Sequence, residues 1–249
     1  MCRLCLTRRS LLAAPALAPL SHAGAAARDS PVEPGMRLAD ATPDRMVVAV
    51  TLDACPGDFD ARIATALVES GIPATIFATD LWLRRNPAGL ALLLAHRDLF
   101  DVENHGELHI PPVLGPGTIY GIPVAGDLAT VRREVTAGAA SISAATGMAP
   151  RWYRAATGYY SPAAMPEIER LGFGIAGYSL NADAGASLPA RSVAARIARA
   201  TSGEVIVAHI NQPYRPSGLG VVAGIMALQR RGASFVRLDR LGITDVVPV

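Results

Sequence analysis

Two histidines, His105 and His109, stand four residues apart in Asn104-His105-Gly106-Glu107-Leu108-His109. Side chains at that spacing can converge on one metal ion, and imidazole suits Zn, Fe, Co or Ni. Beyond the first 27 residues the chain has only four histidines, His96, His105, His109 and His209, so two of the four share one short stretch. The spacing alone is weak, because H-x-x-x-H recurs by chance. It is not the H-E-x-x-H pattern of zinc proteases, since Glu107 lies at the wrong offset. Two protein ligands are also too few, as a catalytic zinc usually has three plus an open position. Asp53 is the natural third ligand, or else the base that takes a proton from water as it attacks a carbonyl. His209 could protonate a leaving group or stabilise an oxyanion. Arg154 could hold Asp53 ionised, and Asp183 could keep His209 protonated and oriented. For Asp183 a plain turn role in Asn181-Ala182-Asp183-Ala184-Gly185 is the slightly favoured reading, and Arg154 could equally be a surface strand arginine. His96 reads as a helix C-terminal residue complementing the dipole.

These residues need elements to position them. Residues 46–52 form a continuous, largely β-branched run, read as a buried parallel strand that ends at Asp53. Further strands are expected over 74–79, 99–102, 151–154, 173–180, 204–209 and 234–238. Helical stretches separate them, with Asp58 the expected N-cap of the first and Asp127 the opening of a later one. The β-α alternation therefore repeats about seven times, which makes a parallel sheet, open or closed into an incomplete barrel. Barrel chemistry sits at the strand C-terminal ends. Asp53, His105, Arg154 and His209 all fall there. Residues 111–126 form a long Pro/Gly-rich loop, either disordered or covering a site.

The chain has 249 residues, 51% hydrophobic and 18% charged, enough for one large α/β domain. Residues 1–27 read as a signal peptide. Arg3, Arg8 and Arg9 give a positive start, an Ala/Leu-rich run too short to span a bilayer follows, and small residues suit a cleavage site. Thr7-Arg8-Arg9-Ser10-Leu11-Leu12 resembles a twin-arginine signal, so export in a folded state, to the periplasm or beyond, is expected. Residues 28–45 look like a linker or irregular lead-in, and 46–249 like the catalytic barrel. Loss of the leader takes the net charge from +2 to about −1, which gives no argument for a nucleic-acid or membrane partner. It also removes Cys2 and Cys5, leaving Cys55 alone, buried or functional.

The motifs together resemble the polysaccharide deacetylase (NodB-homology) domain of carbohydrate esterase family four. Thr51-Leu52-Asp53-Ala54-Cys55 resembles its T-F-D-D-G motif, and His105-Gly106-Glu107-Leu108-His109 its H-[ST]-x-x-H motif. Arg154-Ala155-Ala156-Thr157-Gly158 resembles R-x-P-x-G, Asn181-Ala182-Asp183 takes the place of the fourth motif, and Val207-Ala208-His209 resembles L-x-H. The resemblance implies a distorted (β/α) barrel that removes acetyl groups from N- or O-acetylated carbohydrate, with water activated by a divalent metal, most simply zinc. By position Asp53 matches the base, His105 and His109 the metal ligands, Arg154 the residue orienting the base, His209 the acid and Asp183 its tuning aspartate. Two departures stand out. The family's metal-binding second aspartate is Ala54 here, so Asp53 itself, Cys55, Asp58, Asp60 or Glu107 must supply the third ligand, or metal binding is weak or lost. The aromatic residue expected after the fourth-motif aspartate is replaced by Ala184. A hydrolase of a non-sugar amide and a carbohydrate binder without turnover are the competing readings.

Overall fold

The computed structural model describes residues 30–39, 45–240 and 246–247. The expected leader, and part of the lead-in, lie outside them. No helix of the described residues is long and apolar enough to cross a membrane.

The element that organises the sheet is β2 (Val47–Ala54), whose β-branched run is buried on both faces, as a strand covered by helices must be. In chain order the others are β1 (Arg37–Leu38), α1 (Ala61–Glu69), β3 (Ala74–Ala78), α2 (Asp80–Arg85), α3 (Pro87–Ala95) and β4 (Phe100–Asn104). A small hairpin follows, β5 (Thr118–Ile119) and β6 (Ile122–Pro123), then α4 (Leu128–Thr146), β7 (Trp152–Tyr153) and α5 (Ala164–Arg170). The chain continues with β8 (Gly174–Ile175), β9 (Leu180–Asn181), α6 (Ala190–Ala198), β10 (Val205–His209), α7 (Ser217–Arg230), β11 (Ser234–Val236) and β12 (Val246–Val247). The main sheet runs β8-β7-β4-β3-β2-β10-β9, all parallel, with β11 also on β2. β11 pairs with Val47, Val48 and Ala49 and β3 with the later part of β2, from Thr51 on.

The result is the expected curled (β/α) barrel, with two local differences. The expected strand over 173–180 splits into β8 and β9, which lie at opposite ends of the sheet order. Between them Gly177 passes so close to the segment before β1 that a Cβ would meet the Pro34 carbonyl oxygen at 2.2 Å. That segment threads the opening. Val32 exchanges backbone hydrogen bonds with Tyr160 at 2.8 Å each way, Met36 N–H donates to Tyr178 O at 3.2 Å, and Leu38 N–H to Gly203 O at 2.9 Å. Met36 and Leu38 pack there with Phe77, Trp152 and Leu238, closing a gap that would otherwise leave strand edges open. The second difference is the cap of α1. Asp60, not Asp58, accepts from Arg62 N–H at 3.2 Å, because Asp60 N–H is held on Ile210 O at 2.8 Å and the chain stays extended up to it. Asp58 pairs with Arg85 at 2.6 Å instead. Asp127 caps α4 and His96 ends α3, as expected.

Candidate active site

Strand alternation decides which residues reach the site. Along β2, Val48, Val50, Leu52 and Ala54 join the helix-facing core, while Ala49 faces the barrel interior. Thr51 and Asp53 share the interior face with Ala49, and Arg154 meets both. Its Nη1 donates to Asp53 Oδ1 at 2.9 Å and Thr51 Oγ1 at 2.7 Å. Its Nε and Nη2 donate to Ala176 O and Gly177 O at 3.2 and 3.0 Å, and the guanidinium lies 4.2 Å over the Phe77 ring. A fully buried arginine is tolerable because its charge is paired and its donors are used. Burial works to raise the Asp53 pKa. The positive charge of Arg154, then of His105 and His209, outweighs it and holds the carboxylate below its ordinary value.

His209 ends β10 in register with Asp53. Its Nδ1 lies 2.8 Å from Asp183 Oδ1, and its backbone N–H donates to Asp183 Oδ2 at 2.8 Å. Asp183 is fully buried, so it is no mere turn residue. Burial acts to lower the His209 pKa, but the Asp183 carboxylate overrides it and lifts the imidazole well above its ordinary value. With Nδ1 engaged, Nε2–H is left for the cleft. The loop makes this placement by a tight turn, with Ala184, Gly185 and Ala186 at φ 48, 71 and 58°.

His105 follows β4. Its Nδ1 sits 2.9 Å from Arg154 O, which leaves Nε2 toward Cys55 Sγ at 3.4 Å and Asp53 Oδ2 at 4.0 Å. A carbonyl on the far nitrogen is how proteins orient a metal-binding imidazole. The His109 ring lies 5.0 Å from that of His105, and its Nε2 is buried without a hydrogen-bond partner among the described residues. The loop carrying both is fastened to α4. Glu134 accepts from Leu108 and Ile110 N–H, both at 3.0 Å, and a Cβ on Gly106 (φ 92°) would come within 2.2 Å of the same carboxylate.

Donor atoms of Cys55, His105 and His109 lie within 4.8 Å of one another. Zn–S and Zn–N bonds of about 2.3 and 2.0–2.1 Å at tetrahedral angles put ligand S and N about 3.5 Å apart. The Cys55–His105 separation matches that, and His109 brings an unpaired donor. This donor set therefore fits a borderline-soft ion such as zinc. Burial works to raise the Cys55 pKa, but His109 and His105 draw it well below the ordinary thiol value, toward the thiolate a metal needs. Asp53 stands beside this cluster, tied to Arg154. Of the other sequence alternatives, Asp58 and Asp60 are engaged by Arg85 and Arg62 and do not line the cleft. Ala54 faces the apolar core.

Asp53, Cys55, His105, His109 and His209 line one cleft of about 770 Å³, with Asn211, Gln212, Arg215, Glu33, Tyr120 and Tyr178. Asn211 Nδ2 donates to Pro56 O at 3.2 Å, while its Oδ1 is buried and unpaired among the described residues.

The sequence profile of the polysaccharide deacetylases matches residues 40–176, more than half of the chain. The chain belongs to the polysaccharide deacetylase family. No curated protein matches its sequence. Solved structures that resemble this chain include the Bc1960 peptidoglycan N-acetylglucosamine deacetylase, at TM-score 0.66 and 19% identity over 80% of this chain and 88% of that one. A family 4 carbohydrate esterase from Streptomyces lividans is similar at TM-score 0.61 and 19% identity, covering 76% of this chain and 91% of that one. A family 4 pseudoenzyme from Bacillus anthracis is similar at TM-score 0.63 and 18% identity, covering 80% of this chain and 66% of that one. At these identities the likeness speaks for the fold alone.

The family motifs thus converge: Asp53, His105, His109 and His209 meet in one cleft, with Arg154 and Asp183 bonded behind Asp53 and His209. Sequence reasoning missed Glu33, Tyr120, Tyr178 and Arg215. Only the Tyr120 turn left a local signal, Gly121 between the β-branched Ile119 and Ile122.

Proposed function

We propose that this chain is an exported, metal-dependent hydrolase that removes acetyl groups from N- or O-acetylated carbohydrate. The observation that carries the reading is the placing of two oppositely tuned pairs, Asp53–Arg154 and His209–Asp183, beside the Cys55–His105–His109 cluster. Titratable groups pushed apart in this way are the mark of an acid and a base. Cys55, His105 and His109 would hold the ion, and Cys55 takes the part left vacant by Ala54. A bound divalent ion supplies Lewis-acid polarisation of the acyl carbonyl and acidifies water. The chain's own residues do the rest. Asp53 Oδ2, free of Arg154, accepts a proton from the attacking water. Protonated His209 gives its Nε2 proton to the departing nitrogen or oxygen. Arg154 keeps the base ionised and Asp183 keeps the acid charged. Asn211 Oδ1 offers an acceptor to an amide N–H or hydroxyl of the substrate. The leader-like residues 1–27 support export.

One observation favours a second reading, a carbohydrate binder without turnover: alanine occupies position 54. Metal content of the mature chain, measured by elemental analysis beside His105→Ala/His109→Ala, separates the two. Near-stoichiometric zinc, iron, cobalt or nickel that disappears in the variant, together with acetate release from chito-oligosaccharides, supports the hydrolase. A chain that retains no metal after soaking in excess sinks it. Release of acetate from small amides but not from sugars would replace the carbohydrate by a non-sugar substrate.

A further inference from the structure

The long loop over 111–126 is ordered, and it ends a hairpin beside the cleft. Ile119 pairs with Ile122 and Thr118 with Pro123, leaving Tyr120-Gly121 as a two-residue turn. Both turn residues have positive φ, 50° and 80°, as type I′ hairpins require. Asn or Gly is the usual first residue of such a turn, because a larger side chain is strained there. Here a tyrosine holds the place and is 79% exposed. Neither backbone preference nor burial explains that ring. Its edge-to-face contact with Tyr159, with centroids 6.2 Å apart, fixes the ring direction. The base of the hairpin is fastened by Ala125 N–H on Pro111 O at 3.0 Å and Gly126 N–H on Val113 O at 2.9 Å. Tyr120 lines the same cleft as Asp53 and His209, and so do Glu33 and Tyr178. The Tyr178 hydroxyl donates to the Glu33 carboxylate.

We infer that Tyr120, Glu33 and Tyr178 form a subsite for a second pyranose unit of a glycan chain, beside the unit that reacts. This rests on the carbohydrate reading above and names how the chain is held. A pyranose has a C–H face and a rim of hydroxyls. The exposed Tyr120 ring suits the first, and a carboxylate with a phenol suits the second. An acyl tail would call for an enclosed apolar wall, not a ring standing in solvent.

The test is calorimetric binding of the N-acetylglucosamine tetramer and monomer to the mature chain, to Tyr120→Asn and to Tyr120→Phe. Asparagine suits the turn backbone, so that variant folds and loses only the ring. The subsite predicts tetramer binding roughly tenfold weaker in Tyr120→Asn, nearly unchanged in Tyr120→Phe, and unaltered monomer binding. Equal tetramer affinity in Tyr120→Asn, or no tetramer binding to the unaltered chain, overturns it. Acetate release is followed in the same samples. A tetramer bound through Tyr120 but never deacetylated sinks the hydrolase reading and leaves the subsite standing. Deacetylation with a Tyr120-independent affinity does the reverse.

Discussion

Charge is buried at both ends of this barrel, yet among the described residues those at one end line the cleft and those at the other do not. At the C-terminal strand ends each charged group has a partner of opposite sign and one atom left over. Arg154 takes Asp53 Oδ1 and leaves Oδ2, and Asp183 takes His209 Nδ1 and leaves Nε2. At the other end the same kinds of residue turn to each other and not to the cleft. Arg237 forks Asp239 with two bonds of 2.8 Å, and Glu103 Oε2 accepts Arg151 and Trp152 N–H, both at 2.8 Å. Burial, then the neighbouring Asp101, pushes Glu103 up to about 9, although it does not line the cleft. A perturbed titration is therefore a poor marker of function by itself. What separates the ends is that the cleft side moves an acid and a base in opposite senses and keeps their free atoms facing one space.

The sharpest way to break this contrast is to remove a charge from the open end. Arg154→Ala leaves Asp53 buried without its partner and vacates four hydrogen bonds. We expect a stability loss of about 3–5 kcal/mol in urea unfolding and an activity loss of ~10²–10⁴-fold. A fully active, equally stable variant would mean that Arg154 is idle. Next in size is Asp183→Asn. In the proposed reaction His209 is the acid, held charged by Asp183, so the alkaline limb of the pH–rate profile is expected above the ordinary imidazole range, with the acid limb following the depressed Asp53. Removing the Asp183 charge lowers the His209 pKa, which moves the alkaline limb toward neutrality while the acid limb stays. A profile unmoved at its alkaline side would show that His209 is not the acid.

Much of the open end was legible because it follows a periodic rule. Parallel strands end on one side, so Asp53, His105, Arg154 and His209 had to approach one another once the β-α order was read. The same rule held information left unused. Residues two apart on a strand share a face, so Cys55 was bound to join Asp53 in the cleft while Ala54 turned away. Other features had no local signature. Glu33 enters the cleft only because residues before β1 thread the gap between β8 and β9, and that gap exists only after the sheet curls. The capping role of Asp60 depends on Ile210, 150 positions away in the chain. The carboxyl pair at the closed end is assembled from β4, the start of β7 and the segment after β11, and the alternation of β4 shows no more than that Asp101 and Glu103 share its inner face.

That closed end supplies the smallest and cleanest effect. With its pKa raised to about 9, Glu103 is protonated in the folded chain and donates to Asp101, whereas an unfolded glutamate ionises at its ordinary value of 4.5. The sign follows: its stabilising share is complete below about pH 4.5 and is lost progressively as pH rises toward about 9. Glu103→Gln copies the protonated side chain, with an oxygen for the Arg151 and Trp152 amides and an N–H for Asp101. The variant should match the unaltered chain in melting temperature near pH 4.5 and exceed it near pH 9, by about 2–4 °C for each kcal/mol removed from the penalty. Its activity at neutral pH should be unchanged, because nothing at this end faces the cleft. Parallel melting curves for the two proteins across that range would deny the shared proton. A loss of turnover in Glu103→Gln would show instead that the two ends are coupled through the barrel interior.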